Sequence, residues 1–225
     1  MSARKTPRPT SRPRKAAVAP ERPAGTGHTI ADMLAIATEE FAAKGYSGAR
    51  VDEIAARMAT SKRTIYYYFG GKEGLYLAVL EDAYRRIRAL EHDIDVENLD
   101  PVEALERLVA FTFDYQSANP DFVRLVMNEN ILKGDFMRRS KEIQRLNVPA
   151  IDAVKRIYER GVAAGRFRPG LDPIDLHMSI SALAFFNVSN RHTFSLIFKR
   201  DMQSSQAHAK RRAQVVELVL RYALA

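Results

Sequence analysis

From residue 30 to the C-terminus, apolar residues recur at the three- and four-residue spacing of a helix. No segment shows the apolar–polar alternation of a strand. Ile30, Met33, Leu34, Ala37 and Phe41 share one helical face. Val51, Ile54, Ala55 and Met58 mark a short second helix, and Leu75, Val79, Leu80, Ala83, Ile87 and Leu90 the inward face of a longer one. Three later helices begin at Asp100-Pro101, Asn119-Pro120 and Asp172-Pro173. In each pair the polar side chain can accept from free first-turn N–H groups, and the proline supplies a helical φ where its missing donor costs nothing. Gly45 is expected to end the first helix, Gly70-Gly71 to break the chain, and Gly134 and Gly165 to end later helices; Pro149 is expected to kink or break the long run between them. A last helix is expected over about 208 to 224. The fold class is therefore all-α. Three short helices and a connecting helix precede a larger helical region, with the acidic stretch 92–100 as a linker. The division expected is a unit over 29–74 and another over 75–225.

The chain's 225 residues, 46% of them hydrophobic, suffice for a substantial core. No apolar run is long enough to cross a membrane. The absence of cysteine excludes disulfides, thiolate metal sites and a cysteine nucleophile. A cytoplasmic location is expected. The net charge of +8 is concentrated at the N-terminus, where residues 1–29 hold seven Lys and Arg against Glu21 alone. With Pro7, Pro9, Pro13, Pro20 and Pro23, residues 1–28 form a basic, proline-rich tail expected to be disordered. Three readings stay open for it: a solvated tail without a specific role, an arm that holds DNA non-specifically, or a targeting segment, which the prolines oppose.

The stretch "TSKRTIYYYF", residues 60–69, joins the second short helix to a third. A helix pair with so short a join resembles a helix-turn-helix, although Ala59 and Thr60 stand where a turn glycine is often found. At roughly 100° per residue, Ser61, Ile65, Phe69 and in part Tyr68 turn inward, while Arg63, Tyr66 and Tyr67 turn outward, flanked by Lys62 and Thr64. That outward set offers a forked donor for guanine, rings and hydroxyls for thymine methyls and phosphates, and a point charge for phosphate. Lys72, at the start of the next helix, can reach a DNA backbone together with that helix's free N–H groups.

The stretch from Ala31 to Leu80 resembles the N-terminal domain of the TetR (tetracycline-repressor) family of transcriptional regulators. The resemblance lies in the Phe41, Gly45, Tyr46 helix end, the Val-Asp-Glu-Ile-Ala second helix, "SK-x-T-I-YYYF", and Lys-Glu-x-Leu at the start of helix four. It implies an all-helical homodimer in which each subunit lays its third helix in a major groove of a palindromic operator on double-stranded DNA. It also implies a divergent C-terminal domain that binds a small ligand and thereby alters the separation of the two heads. By position, Arg63, Thr64 and Tyr66 match residues that reach base edges. Lys62, Tyr67, Tyr68 and Lys72 match residues that hold phosphates. Arg50 stands where the family usually has a capping threonine, so it either contacts phosphate or is merely exposed. Ala59 replaces the usual turn glycine, a strain if that residue needs φ > 0.

In the C-terminal half, Val215, Val216, Leu218, Val219, Leu220 and Tyr222 spread over more than half a helix, and Leu176, Ile180 and Leu183 lie nearly opposite Met178 and Phe185. Helices that apolar are covered on two sides. The resemblance implies a four-helix dimer interface, for which Met178, Phe185, Val215, Leu218, Val219 and Tyr222 are the candidates. Polar residues on apolar faces are the ligand candidates: Tyr115, Asn128, Asn130, His177, Asn187 and Asn190. They suit an aromatic or amphipathic small molecule. The histidines are scattered, and neither a Gly-rich phosphate loop nor a Gly-x-Ser-x-Gly elbow is present, so no metal, cofactor or catalytic residue is expected. The function expected is a dimeric repressor released by a small molecule; the alternative is a ligand-independent or activating regulator of the same fold.

Overall fold

The computed structural model describes residues 29–92, 94 and 96–225; the expectations for the basic tail lie outside them. The described residues form α1 (Ile30–Gly48), α2 (Val51–Arg57), α3 (Lys62–Phe69), α4 (Lys72–His92), α5 (Pro101–Ala118), α6 (Pro120–Ile131), α7 (Lys141–Ala163), α8 (Pro173–Ser189), α9 (Arg191–Phe198) and α10 (Ser205–Ala223). They contain no strand, only an isolated bridge between Phe167 and Leu224. None of the helices is long and apolar enough to cross a membrane.

The helix ends follow local chemistry. Thr29 and Asp32 close a reciprocal capping box on α1, and Ser61, Ser140 and Ser204 each accept from a first-turn N–H of their helices. Asp100 and Asp172 cap the helices that begin at the following prolines, accepting from the Val102 and Ile174 N–H groups, as their pairing with proline predicts. Asn119 starts α6 through its backbone instead: its carbonyl accepts from the Phe122 N–H at 3.1 Å, while its amide donates backwards to the Tyr115 carbonyl at 2.8 Å and its side chain makes no cap bond. Gly45 interrupts α1 with φ 67°, and Gly134 and Gly165 take the left-handed conformation beyond α6 and α7. Pro149 neither breaks nor ends α7, which runs through it.

Two clusters of buried side chains organise the chain. The first joins Phe41 of α1, Ile54 of α2, Ile65 of α3 and Leu75, Tyr76 and Val79 of α4. Burying each large aliphatic side chain of this kind stabilises by roughly 1.5–3 kcal/mol, enough to hold short helices that would not persist alone. The second joins Leu105, Val109 and Phe113 of α5 to Val154 and Ile157 of α7, Ile180 of α8 and Val215 and Val219 of α10. Helix α4 starts in the first cluster and extends beside the second.

The end of α6 is the joint between the two halves. Leu125 and Phe136 pack in the first cluster, where Phe136 meets Tyr46 and Tyr76 at ring separations of 4.4 and 4.9 Å. Glu129 is buried beside them, and its Oε2 accepts from the Met137 N–H at 3.1 Å. Burial, reinforced by the nearby Glu129 carboxylate, pushes the Tyr76 phenol far above its ordinary range.

Candidate nucleic-acid interface and inner cavity

Helix α3 is fixed from beneath and open above. Ile65 is fully buried, and Ser61 Oγ accepts from the Thr64 N–H at 3.2 Å. Gly70 ends the helix at φ 73° and returns its N–H to the Tyr66 carbonyl. On the outward side Lys62, Arg63, Tyr66, Tyr67 and Tyr68 are all exposed, and the rings of Tyr67 and Tyr68 meet edge-on at 5.1 Å. The Tyr66 ring lies over Gly71, where a β-carbon would stand 3.3 Å from it. Three exposed tyrosines in succession contribute little to the core, and they stand beside two cations.

The remaining residues of this face vary in availability. Lys62 pairs with Asp52 of α2 at 3.1 Å; an exposed pair of this kind is worth under about 1 kcal/mol, so a phosphate can displace it. Lys72 stands over the Tyr46 ring at 4.8 Å, donates to the Ser47 carbonyl at 3.5 Å, and has its ammonium pKa lowered by burial. Arg50 precedes α2 in an extended conformation, makes no side-chain cap and is exposed. Thr64 corrects the wheel. Its side chain is 2% exposed, and its hydroxyl lies 3.0 Å from Ser61 Oγ. It belongs to the cap beside Ile65, not to the surface that bases would meet.

Ala59, between α2 and α3, has φ 46°. The left-handed region costs a residue with a β-carbon roughly 1–2 kcal/mol, which glycine escapes at the expense of a more flexible unfolded chain. Ala59→Gly should therefore stabilise the protein by about 0.5–1 kcal/mol, read as a higher melting temperature. A lowered melting temperature would show that the turn is relaxed with alanine.

Two neighbouring, partly open cavities of about 470 and 200 Å³ lie in the C-terminal half. Arg88 and Glu91 of α4 and His177 of α8 line both, forming their shared wall. Arg88 and Glu91 form a buried ion pair. Burial raises the Glu91 carboxyl above its usual range; burial, helped by Arg88, lowers the His177 imidazole below its own and favours the neutral ring.

Of the expected ligand residues only His177 lines these cavities. Asn128 is part of the joint: its amide donates to the Phe41 carbonyl at 3.3 Å, and a β-carbon on Gly45 would sit 3.1 Å from its oxygen. Asn130 is corrected outright; it is exposed and donates to Val126 of its own helix. Asn190 sits between α8 and α9, donating to Ser189 Oγ. Tyr115 lines a separate small hollow against α1 and α4, and Asn187 lines another between α8, α9 and α10. Besides His177, the smaller cavity's polar lining is Arg88, Glu91, Thr112, Gln116, Asn147 and Ser181, none of which the sequence singles out. Arg88, Glu91 and Gln116 read from sequence as the polar face of amphipathic helices, and only packing by other helices turns that face inward.

The dimer candidates divide in the same way. Met178 is 61% exposed, in a stripe with Ile174 and Phe186, and Leu218 and Tyr222 are exposed on α10. Val215 and Val219 are 0% and 2% exposed and belong to the subunit's own core, so neither is open to a partner. Phe185 turns into the smaller cavity. The error was one of helix phase: Phe185 lies i+8 from His177 and shares its inward face, whereas Met178 and Phe186 share the outer one.

Comparison with known proteins agrees with this architecture. The family described as "Bacterial regulatory proteins, tetR family" matches residues 33–79, and "Tetracyclin repressor-like, C-terminal domain" matches residues 101–219. The HTH-type transcriptional repressor NicS of Pseudomonas putida is 34% identical over 190 residues, covering 84% of this chain and 90% of that protein. The HTH-type transcriptional repressor SCO4008 of Streptomyces coelicolor is 33% identical over 135 residues, covering 60% and 67%. The crystal structure of a tetR-family regulatory protein from Rhodococcus superposes with a TM-score of 0.67 at 25% identity, covering 87% of this chain and 97% of that one. The chain belongs to the TetR family of bacterial transcriptional regulators, which bind DNA and are not enzymes.

Proposed function

We propose that the protein is a dimeric cytoplasmic repressor that holds a palindromic operator through α3 of each subunit and releases it when a small molecule fills the inner cavities. Residues 29–74 act as the reading head and 75–225 as the regulatory and dimerising unit. The observation that carries this reading is the outward face of α3, where Arg63 and Tyr66 stand exposed on a helix anchored by Ile65. Arg63 and Tyr66 reach base edges; Lys62, Tyr67, Tyr68, Lys72 and Arg50 hold the backbone. The two relatives named above are repressors, which favours repression over activation.

Release follows from how the halves are joined. Tyr84 of α4 and Phe122 and Val126 of α6 line the smaller cavity, and the far end of α6 and the turn after it grip α1 and α4 through Asn128 and Phe136. A ligand that shifts α6 shifts the head with it, and packed helices answer such a push by moving as units. The second subunit covers the stripe of Ile174, Met178, Phe186, Leu218 and Tyr222.

Two heads on one dimer must meet the same face of the duplex, with half-sites about one turn, roughly 10 base pairs, apart or a multiple of that. After the bound site is mapped by footprinting, inserting half a turn between its half-sites should lower affinity about 100-fold, to near the non-specific level. Undiminished binding to the lengthened site would mean that the heads bind independently, against the dimeric reading.

A further inference from the structure

Two residues that line the inner cavity each carry a buried polar atom without a hydrogen-bond partner among the described residues, and the two atoms are chemically complementary. One is a donor, Arg88 Nε; the other is an acceptor, Gln116 Oε1. Both residues line the 200 Å³ space. Gln116 is 5% exposed, so its unmet oxygen has no recourse to bulk water. A buried polar group left unmet is costly enough that such groups in native proteins are nearly always satisfied.

Three other polar groups of that lining are already engaged, while His177 and Ser181 complete it. Thr112 donates to the Leu108 carbonyl at 2.9 Å, the Asn147 amide donates to the Ile143 carbonyl at 2.7 Å, and Glu91 takes a terminal nitrogen of Arg88. That leaves the Nε edge of the guanidinium, the side-on face that accommodates a carboxylate. Tyr84, Phe122 and Phe185 supply flat apolar walls, and the space holds a single ring but no long acyl chain. The adjoining larger cavity is lined by Arg85, Arg88, Arg145 and Arg156 and by Glu91 and Glu97; Arg85 and Arg145 share Glu142 outside the lining and Arg156 pairs with Glu97, which leaves a modest excess of positive charge on the approach.

We propose that the effector is a small aromatic carboxylic acid carrying a hydrogen-bond donor, bound with its carboxylate on Arg88 and its donor on Gln116. The assignment rests on the regulatory reading above and adds the ligand's chemistry to it. Both atoms are covered in this structure, so binding turns both side chains toward the space: the carboxylate then meets the Nε–H, the hydroxyl or ring N–H meets Oε1 of Gln116, and the ring lies against Tyr84, Phe122 and Phe185. A neutral amide of the same shape satisfies Gln116 but gives up the charge-assisted bond to Arg88.

The test is calorimetric titration of the full chain, without DNA, with meta- and para-hydroxybenzoate, benzoate and the matching hydroxybenzamides. A hydroxybenzoate should bind about tenfold more tightly than benzoate and at least about tenfold more tightly than its amide. Arg88→Gln should erase the preference for acid over amide while keeping the preference for the hydroxyl; Gln116→Leu should do the reverse. Each readout is a ratio within one variant, so partial loss of stability does not imitate it. Amides that bind as well as acids, preferences that survive the substitutions, or no binding by any of the acids would overturn the assignment. Because no DNA is present, such a failure leaves operator recognition standing; equally, a failure of operator recognition leaves the ligand preference measurable.

Discussion

Gly74→Ala should destabilise the reading head by about 3 kcal/mol and abolish operator binding at ordinary concentrations. Gly74 lies in the first turn of α4, and a β-carbon there would stand 1.8 Å from the carbonyl oxygen of Phe69. That oxygen is backbone and cannot swing aside as a flexible side chain does. Phe69 is the last residue of α3, so the clash is relieved only by moving α3 away from α4. Ile65 and Leu75 are fully buried in the cluster those helices share, and parting them loosens that packing while turning Arg63 and Tyr66 off their line. Gly70→Ala is the informative comparison: no atom lies within 4 Å of the added carbon, and its cost is only that of a left-handed residue, about 1–2 kcal/mol. Thermal denaturation and gel shift on the same samples should show Gly74→Ala much the worse of the two. Equal effects would mean that the approach of α4 to α3 does not set the position of the reading helix.

Much of the fold can be read from sequence because its signals are local. Asp100-Pro101 and Asp172-Pro173 start helices through bonds that span two residues, and Gly45, Gly134 and Gly165 end them through a single backbone angle. The outward set of α3 is legible because eight residues suffice to separate Ile65 from Arg63 and Tyr66 on a wheel. Thr64 escaped that wheel since the Ser61 cap and the burial beside Ile65 depend on how α3 sits on its neighbours. Asn119 precedes α6 as its pairing with proline predicts, but its side chain makes no cap bond and its amide turns back to the Tyr115 carbonyl. Helix α9 has too short an apolar pattern to announce itself, and Leu196, Ile197 and Phe198 remain exposed on it.

The regulatory half is less legible because its features are made by packing between distant segments. Arg88 and Gln116 meet one cavity although 28 positions separate them in the chain. Each carries the polarity of a solvent-facing residue. Close approach also hides two glycines, one in each half: a β-carbon on Gly74 of the reading head or on Gly161 of α7 would meet Phe69 or Phe167. Neither glycine has the positive φ that marks a turn, so neither stands out in the sequence. Val215 and Val219 lie in the subunit's own core although the pattern allows them to face a partner, because an apolar helix surface does not say which part faces its own subunit.

The central claim is that the exposed face of α3 reads bases, and Arg63 is its sharpest instrument. A guanidinium bidentate to a guanine edge contributes roughly 1–3 kcal/mol of discrimination, and alanine forfeits it. Lys72→Ala should behave differently: a lost phosphate contact weakens binding to every sequence and lowers the salt slope by about one unit. The two substitutions therefore separate base reading from electrostatic attraction. The most direct measurement is the ratio of affinities for the mapped operator and for random duplex DNA, at fixed salt, in the wild type and in Arg63→Ala. The account predicts that the substitution lowers this ratio about tenfold or more, chiefly through loss on the operator; an equal loss on both DNAs, leaving the ratio unchanged, would contradict it.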